Sequence, residues 1–148
     1  MKTLVTGANG QLGTEMRNIL EEKYPGHTLY TDVAELDITD ADAVKAFVRD
    51  NDITHIVNCA AYTAVDKAEE DKALSAAINI DAVRNLANAA DAVGAKVLHV
   101  STDYVFDGTG HSPYKESDAV HPVSHYGVTK RQGEATRLAL LPESVIVR

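Results

Sequence analysis

Cysteine is almost missing from this chain of 148 residues: there is one, Cys59, so no internal disulfide can brace the fold. Its company, Val57-Asn58-Cys59-Ala60-Ala61, reads as the apolar end of a strand, which makes Cys59 a buried small hydrophobe rather than a reactive thiol. Cations are outnumbered, 14 Lys and Arg against 22 Asp and Glu for a net charge of −8. No run of them offers the footprint of a nucleic-acid or anionic-membrane partner. No apolar stretch approaches the ~18 residues a membrane span needs, and Met1 leads straight into a strand without a leader-like segment, so the expected location is cytoplasmic. The six histidines lack metal-like spacing, and no metal is expected. A Gly-x-Ser-x-Gly elbow is also missing, and Cys59 has no base beside it, which argues against serine and cysteine hydrolases.

What is present is concentrated first between Lys2 and Gly13, KTLVTGANGQLG. Leu4-Val5-Thr6 reads as a buried strand. From Gln11 onward, Leu12, Met16, Ile19 and Leu20 recur at the spacing of an amphipathic helix. The three glycines between and after them, Gly7, Gly10 and Gly13, fit a strand that turns sharply into a helix. Such a turn aims free amides and the positive helix end at one spot, where a pyrophosphate binds without a lysine. Gly7 then serves the tight turn, Gly10 the approach of phosphate and Gly13 the packing of helix on strand. An ordinary glycine-rich strand–helix turn would show the same letters.

The rest of the chain repeats the alternation. Pro25-Gly26 breaks the helix and 27–31 forms a second strand ending at Asp32, a carboxylate placed either to take the adenosine ribose hydroxyls, which would favour NAD over NADP, or simply to sit in an exposed turn. Leu36-Asp37-Ile38 is long enough only for a stub of strand, with Asp37 at the mouth of the sheet near an adenine. Thr39 or Asp40 caps a helix with Val44, Phe47 and Val48 on one face. Residues 54–57 form the next strand, and the small residues after it let the backbone pass close to a ligand. A long helix is expected from the acidic stretch at Asp66–Asp71 to Val93, with Leu74, Ile78, Ala82, Leu86 and Ala89 along its inner stripe. Asn79 interrupts this stripe to bond backbone or ligand, or else faces solvent. Gly94 ends the helix, and Lys96 to Val100 is another strand.

Strand and helix in strict alternation predict an α/β fold, a Rossmann-like doubly wound parallel sheet with helices on both faces, in one domain over 1–148. In such sheets ligands lie beyond the carboxyl ends of the strands. Ser101-Thr102-Asp103-Tyr104 stands at one such end, followed by a long loop through Gly108, Gly110 and Pro113 to Pro122 that is expected to touch substrate. The next helix carries Tyr126 and Lys130 at i and i+4, on one face. An ammonium one turn from a phenol lowers the phenol pKa and equips it to protonate a carbonyl oxygen as hydride reaches the carbon. The plain alternative is an exposed helix pair.

Taken in order, Thr6-Gly7-Ala8-Asn9-Gly10-Gln11-Leu12-Gly13, Leu36-Asp37-Ile38-Thr39-Asp40, Asn58 to Glu69, Ser101-Thr102-Asp103-Tyr104-Val105-Phe106-Asp107-Gly108 and Tyr126-Gly127-Val128-Thr129-Lys130 resemble the extended short-chain dehydrogenase/reductase family, and within it the dTDP-4-dehydrorhamnose reductases. The resemblance implies NADPH or NADH as cofactor and reduction of a nucleotide-sugar 4-ketone in dTDP-rhamnose biosynthesis. By it, Thr102 bonds the keto oxygen, Tyr126 donates the proton, and Lys130 holds cofactor and lowers the tyrosine pKa. Gly7, Gly10, Gln11, Leu12, Gly13, Asp32, Asp37, Ile38, Ala60, Ala61 and Tyr62 line the cofactor with Tyr126 and Lys130, while Val65, Thr102, Asp103 and Tyr104 lie near the sugar.

The family continues beyond a strand like 144–148 into a substrate domain. The expectation is therefore a truncated nucleotide-binding half, weak or inactive alone, with apolar surface open to self-association; a homodimer is compatible with the resemblance. A second reading is a non-catalytic NADP-binding regulatory module resembling the beta subunit of methionine adenosyltransferase. Intact Thr102, Tyr126 and Lys130 favour the enzyme, since a pure binder has no need of an activated phenol.

Overall fold

A computed structural model describes all residues, Met1–Arg148. Five parallel strands form one sheet: β1 (Thr3–Thr6), β2 (Thr28–Thr31), β3 (His55–Asn58), β4 (Lys96–Val100) and β5 (Val145–Val147), in the order β2-β1-β3-β4-β5. Helices α1 (Gln11–Lys23), α2 (Ala41–Asp50), α3 (Lys72–Ala76), α4 (Ala82–Val93) and α5 (His125–Leu140) connect them. The chain leaves β1 in one direction to make β2 and then crosses back over it to make β3. Between β1 and β3 the topology therefore reverses, and a crevice opens beyond their carboxyl ends.

That reversal distributes the helices unequally. Right-handed crossovers place α1 on one face and the later helices on the other; accordingly α1 packs on β1 and β2, while α2 and α5 each pack against α4. Register explains the core. Leu4, Ile56 and Val97 are cross-strand neighbours, all buried, and with Val44, Val48, Leu86 and Ala90 they fill the space under α2 and α4. Val5, Val57, Leu98 and Val145 line up on the opposite face. Val5 is fully covered there, but Val145 is 54% and Val147 47% exposed. The same scarcity of cover leaves the expected apolar stripe of α1 incomplete, for Gly13 is its one buried residue and Leu12 and Ile19 are exposed.

Two sequence expectations need correction. Leu36-Asp37-Ile38 forms no strand: β2 is the edge strand and nothing lies beyond it to pair with. Leu36 and Ile38 instead plug the core from a turn, which accounts for their apolar character. The helix from Asp66 to Val93 is not continuous. A short 3-10 turn at Lys67–Glu69 precedes α3, and a π-helical turn at Ala77–Asp81 separates α3 from α4. A π turn holds more residues than an α turn and rotates everything before it. Ala82, Leu86 and Ala89 face the core as expected, but Leu74 is swung out to 51% exposure. Asp40 is the cap of α2, its carboxylate accepting the amides of Asp42 and Ala43, and Gly94 closes α4 in the left-handed conformation.

Candidate functional site

The crevice at the topological reversal is a cleft of about 860 Å³ running from the first βα turn to α5. Its floor at one end is the glycine loop. Gly7 adopts φ +65°, and a Cβ there would lie 2.7 Å from the Ala60 backbone; one at Gly13 would lie 2.2 Å from the Gly7 carbonyl oxygen. These two glycines are thus required for the turn and for seating α1 on it. Gly10 is different, since a Cβ would meet only the Gly7 oxygen at 3.3 Å, so its open side faces the cleft. As the N-cap of α1, Gly10 offers no side-chain acceptor, and the first turn contains no acid. The first-turn amides and the positive helix end are left available to an anion. By contrast, α2 and α5 are capped by Asp40 and Ser124. A cradle that side chains would fill, over an uncapped helix, fits the pyrophosphate of a dinucleotide.

Asp32 is tied into this loop. Its Oδ2 accepts the Asn9 amide at 3.1 Å and its Oδ1 the Val33 amide at 2.9 Å. Asp37 accepts both the amide and the hydroxyl of Thr39 through one oxygen, and these bonds hold its carboxyl below the usual carboxylate range. The middle of the cleft is set by Asn58. Its Oδ1 accepts the Thr6 hydroxyl at 2.7 Å and the Ala60 amide at 3.1 Å, which pins the small segment Cys59–Ala61 against the loop. With Oδ1 so used, the Asn58 amide nitrogen donates to His99 Nδ1 at 3.1 Å, leaving the imidazole proton on Nε2. Burial, helped by the Lys130 and Arg137 cations, pushes His99 down to about 3, so it is neutral.

At the other end stand Tyr126 and Lys130. Ser124 caps α5 through the Gly127 amide. Gly127 has no room for a side chain, since a Cβ would lie 2.3 Å from the Tyr104 carbonyl oxygen. That close passage brings the 3-10 turn Asp103–Val105 against α5 and sets the Tyr104 ring edge-on to Tyr126, centroids 5.5 Å apart. Lys130 is 1% exposed and donates to the Val100 carbonyl at 2.7 Å. Burial lowers it to about 8, with Glu134 acting in the opposite sense. The Tyr126 hydroxyl is raised above its ordinary range, chiefly by burial; the Thr102 hydroxyl opposes this, and Asp103 and Tyr104 add to it. Lowering of the phenol by Lys130 is thus not what the geometry gives, because desolvation dominates and the ammonium is engaged by a main-chain carbonyl.

The cleft brings together Gly7, Gly10, Gln11, Leu12, Gly13, Asp32, Asp37, Ile38, Ala60, Ala61, Tyr126 and Lys130. Tyr62 stands apart. Its hydroxyl donates to Asp71, and its backbone is held at both N–H and C=O by the buried Asn79 carboxamide. Asn79, which also donates to Thr129, is therefore a brace between chain segments. Thr102, Asp103, Tyr104 and Val65 lie outside the lining. The loop after Phe106 does not line the cleft either; it folds back so that Tyr114 stacks on Phe106 at 4.2 Å.

Several residues of this site gave no local signal. Cys59 is only half-buried and lines the cleft, where burial raises its thiol to about 11, so it is inert as a nucleophile. Leu74 and Ile78, delivered by the π turn, form an apolar wall. Glu134 is wholly buried under Lys130 on α5 and is gripped by Arg148 through two bonds of 2.9 Å and by Arg131 at 3.2 Å. Burial pushes its carboxyl up, yet Arg148, Ser101 and Arg131 together hold it below the ordinary range. An i, i+4, i+8 reading of Tyr126, Lys130 and Glu134 was available in the sequence; the Arg148 partner was not.

No helix is long and apolar enough to cross a membrane, and no group of His, Cys, Asp and Glu is arranged to hold a metal ion. The family model described as "RmlD substrate binding domain" matches residues 1–148. A dTDP-4-dehydrorhamnose reductase of Aggregatibacter actinomycetemcomitans is 42% identical over 99% of this chain and 50% of its own length. One of Streptomyces griseus is 46% identical over 95% of this chain and 46% of its own length. Among solved structures, a dTDP-4-dehydrorhamnose reductase of Clostridium acetobutylicum superposes with a TM-score of 0.96 at 49% identity, over 100% of this chain and 52% of that one. The Bacillus anthracis enzyme, solved in complex with NADP, gives 0.93 at 39% identity, over 100% and 53%. This chain spans about half the length of the curated relatives it matches. With the Rossmann-like sheet, the glycine cradle and these matches together, the chain belongs to the RmlD substrate binding domain family.

Proposed function

We propose that the chain is the dinucleotide-binding and proton-donating half of an NAD(P)H-dependent reductase of a nucleotide-sugar 4-ketone, of the kind that converts dTDP-4-dehydrorhamnose to dTDP-L-rhamnose in the cytoplasm. The observation that carries this reading is the meeting of an uncapped glycine cradle with Tyr126 and Lys130 in one cleft. Gly7, Gly10, Gln11, Leu12 and Gly13 would hold the pyrophosphate, Asp32, Asp37 and Ile38 the adenosine, and Ala60 and Ala61 the middle of the dinucleotide. A nicotinamide held in this cleft would supply hydride to the ketone carbon. Tyr126 gives its hydroxyl proton to the ketone oxygen, and the Thr102 hydroxyl donates a hydrogen bond to that same oxygen, so ketone becomes alcohol. A phenol kept protonated by burial suits the donor role at neutral pH. Lys130 would hold the nicotinamide ribose, and Val65, Asp103 and Tyr104 the sugar.

The regulatory-module reading is less well supported. The matched relatives are named as reductases, and a binder has no use for a buried phenol and ammonium side by side. The test is to titrate the chain with NADPH and NADH by nicotinamide fluorescence. Reduction of the keto sugar is then assayed by the chain alone and by a chimera carrying the second half of the Aggregatibacter relative. Binding by both, turnover by the chimera and little or none by the chain are expected, because near-attack positioning is worth roughly 7–11 kcal/mol and needs substrate contacts. Binding without turnover in the chimera would favour the regulatory module; no binding would end both readings.

A further inference from the structure

Resting on the dinucleotide reading above, we infer that Arg148 is a positioning residue for Lys130: by occupying the buried Glu134 carboxylate, it leaves the Lys130 ammonium free for a ligand in the cleft. Lys130 and Glu134 sit at i and i+4 on α5, and both are buried. A lysine and a glutamate so spaced are within reach of each other. Burial sharpens that attraction, since a carboxylate left unpaired away from water is costly. Yet no ion pair of the molecule includes Lys130. Its ammonium donates instead to the Val100 carbonyl at 2.7 Å and lines the cleft, with further N–H groups available to a ligand.

What keeps the two apart is the fork of Arg148. Its Nε donates to Glu134 Oε1 and its Nη2 to Oε2, each at 2.9 Å, and Arg131 adds a bond to Oε2 at 3.2 Å. A planar guanidinium can take both carboxylate oxygens at once, which an ammonium cannot. Arg148 is itself steadied over the Phe106 ring, 5.4 Å from the centroid, and Phe106 is stacked by Tyr114. Direction decides what would follow if the fork were lost. Helical side chains lean towards the preceding turn, so Glu134 covers the turn of Lys130 and Arg131, as its bond to Arg131 shows. Arg137, the other buried cation of α5, reaches the opposite way to the Leu141 carbonyl. His99, facing from β4, is neutral, and Tyr126 lies a turn further towards the cleft. A Glu134 carboxylate without Arg148 therefore turns to Lys130 and draws the ammonium back from the cleft.

Fluorescence titration of the chain and its variants with NADH or NADPH, whichever the parent binds more tightly, tests this, with thermal melts to establish folding. Lys130→Met is expected to weaken binding about tenfold, the worth of one hydrogen bond from a charged group. Arg148→Gln is expected to weaken it at least about fivefold by taking that same bond away. Adding Glu134→Gln to Arg148→Gln removes the carboxylate along with its holder, and affinity is expected to return to within about twofold of the parent. In a Lys130→Met background Arg148→Gln is expected to add nothing. A merely structural Arg148 would show neither the recovery nor the silence. Should Arg148→Gln not fold, Arg148→Lys, which keeps the charge and loses the fork, is read in its place, with a smaller loss expected. Parental affinity in the folded position-148 variant overturns the inference, and means that Arg137 or a proton has taken the place of Arg148. Parental affinity in Lys130→Met, no recovery on adding Glu134→Gln, or an undiminished loss in the Lys130→Met background also overturns it. Each of these leaves the dinucleotide reading intact. Binding of neither cofactor by the folded parent overturns the dinucleotide reading itself, and this inference with it.

Discussion

At one end of the cleft the contacts are offered by main chain and at the other by buried side-chain charge. The glycine loop holds its shape because Gly7 and Gly13 leave no space for a Cβ, and its anion-binding power resides in uncapped amides. Tyr126 and Lys130 depend on distant partners: Val100, Glu134, Arg148 and the packing that Gly127 permits. The glycine loop itself, which carries no titrating side chain, should be indifferent to pH and local in its sensitivity to mutation. The second should be sensitive to charge and connected to overall stability.

The largest expected effect separates chemistry from binding. In the chimera, Tyr126→Phe should lower turnover by about 10²–10⁴, the usual worth of a general acid, while NADH affinity measured by fluorescence stays within about twofold. Parental turnover would remove Tyr126 from the reaction. Next, Glu134→Ala strands Arg148 and Arg131 beside a buried vacancy, and loss of one member of a buried pair costs about 3–5 kcal/mol. Urea denaturation of the chain should register it. A loss under about 1 kcal/mol would mean that solvent already screens the pair.

A third test concerns acid. His99 has its pKa near 3 in the fold against about 6.5 when unfolded. Between those values the unfolded chain binds a proton that the folded chain refuses, so stability falls as pH drops from about 6.5 towards 3, by a few kcal/mol across the window. His99→Gln, which keeps an acceptor for Asn58, should flatten that slope in denaturant melts at pH 7, 5 and 4; an equally steep decline would assign the acid limb to other groups. The smallest effect on the fold comes from the main-chain end. Gly10→Val meets only the Gly7 oxygen at 3.3 Å and should change stability by under about 1 kcal/mol. Cofactor affinity should nevertheless fall at least tenfold, because its methyls occupy the approach of phosphate. Unchanged affinity in a folded variant would displace the phosphate from this loop.

Legibility in the sequence divides along the same line. Gly7, Gly10 and Gly13, or Tyr126 and Lys130, lie within one turn or one loop, so their spacing is visible in the sequence, although an ordinary glycine-rich turn or an exposed helix pair shows the same letters. The alternation of strands and helices was equally plain, and it yields the parallel sheet. What escaped are partnerships across the chain: Asn58 with His99, 41 residues apart, and Asn79 with Thr129, 50 apart. Periodicity assumes an unbroken helix, and so it misplaced Leu74. Apolar character suggested a strand at Leu36 and Ile38, because plugging a core and pairing in a sheet call for the same residues. The direction of the Tyr126 shift escaped too, since helical spacing shows the neighbouring ammonium and not the burial.

The π turn at Ala77–Asp81 ties two helices into a single unit of inheritance. It presses the Asn79 carbonyl towards α5 so closely that a Cβ at Gly133 would lie 2.2 Å from that oxygen. An extra residue in one helix is thus matched by a missing side chain in another, and the π turn is not compatible with a side chain at position 133. Removing one residue from Ala77–Asp81 would restore an even helical pitch, but it would turn Leu74 and Ile78 off the cleft wall and unhitch Tyr62. Filling position 133 while the π turn persists would force α4 and α5 apart. A side chain at position 133 should therefore require loss of the π turn.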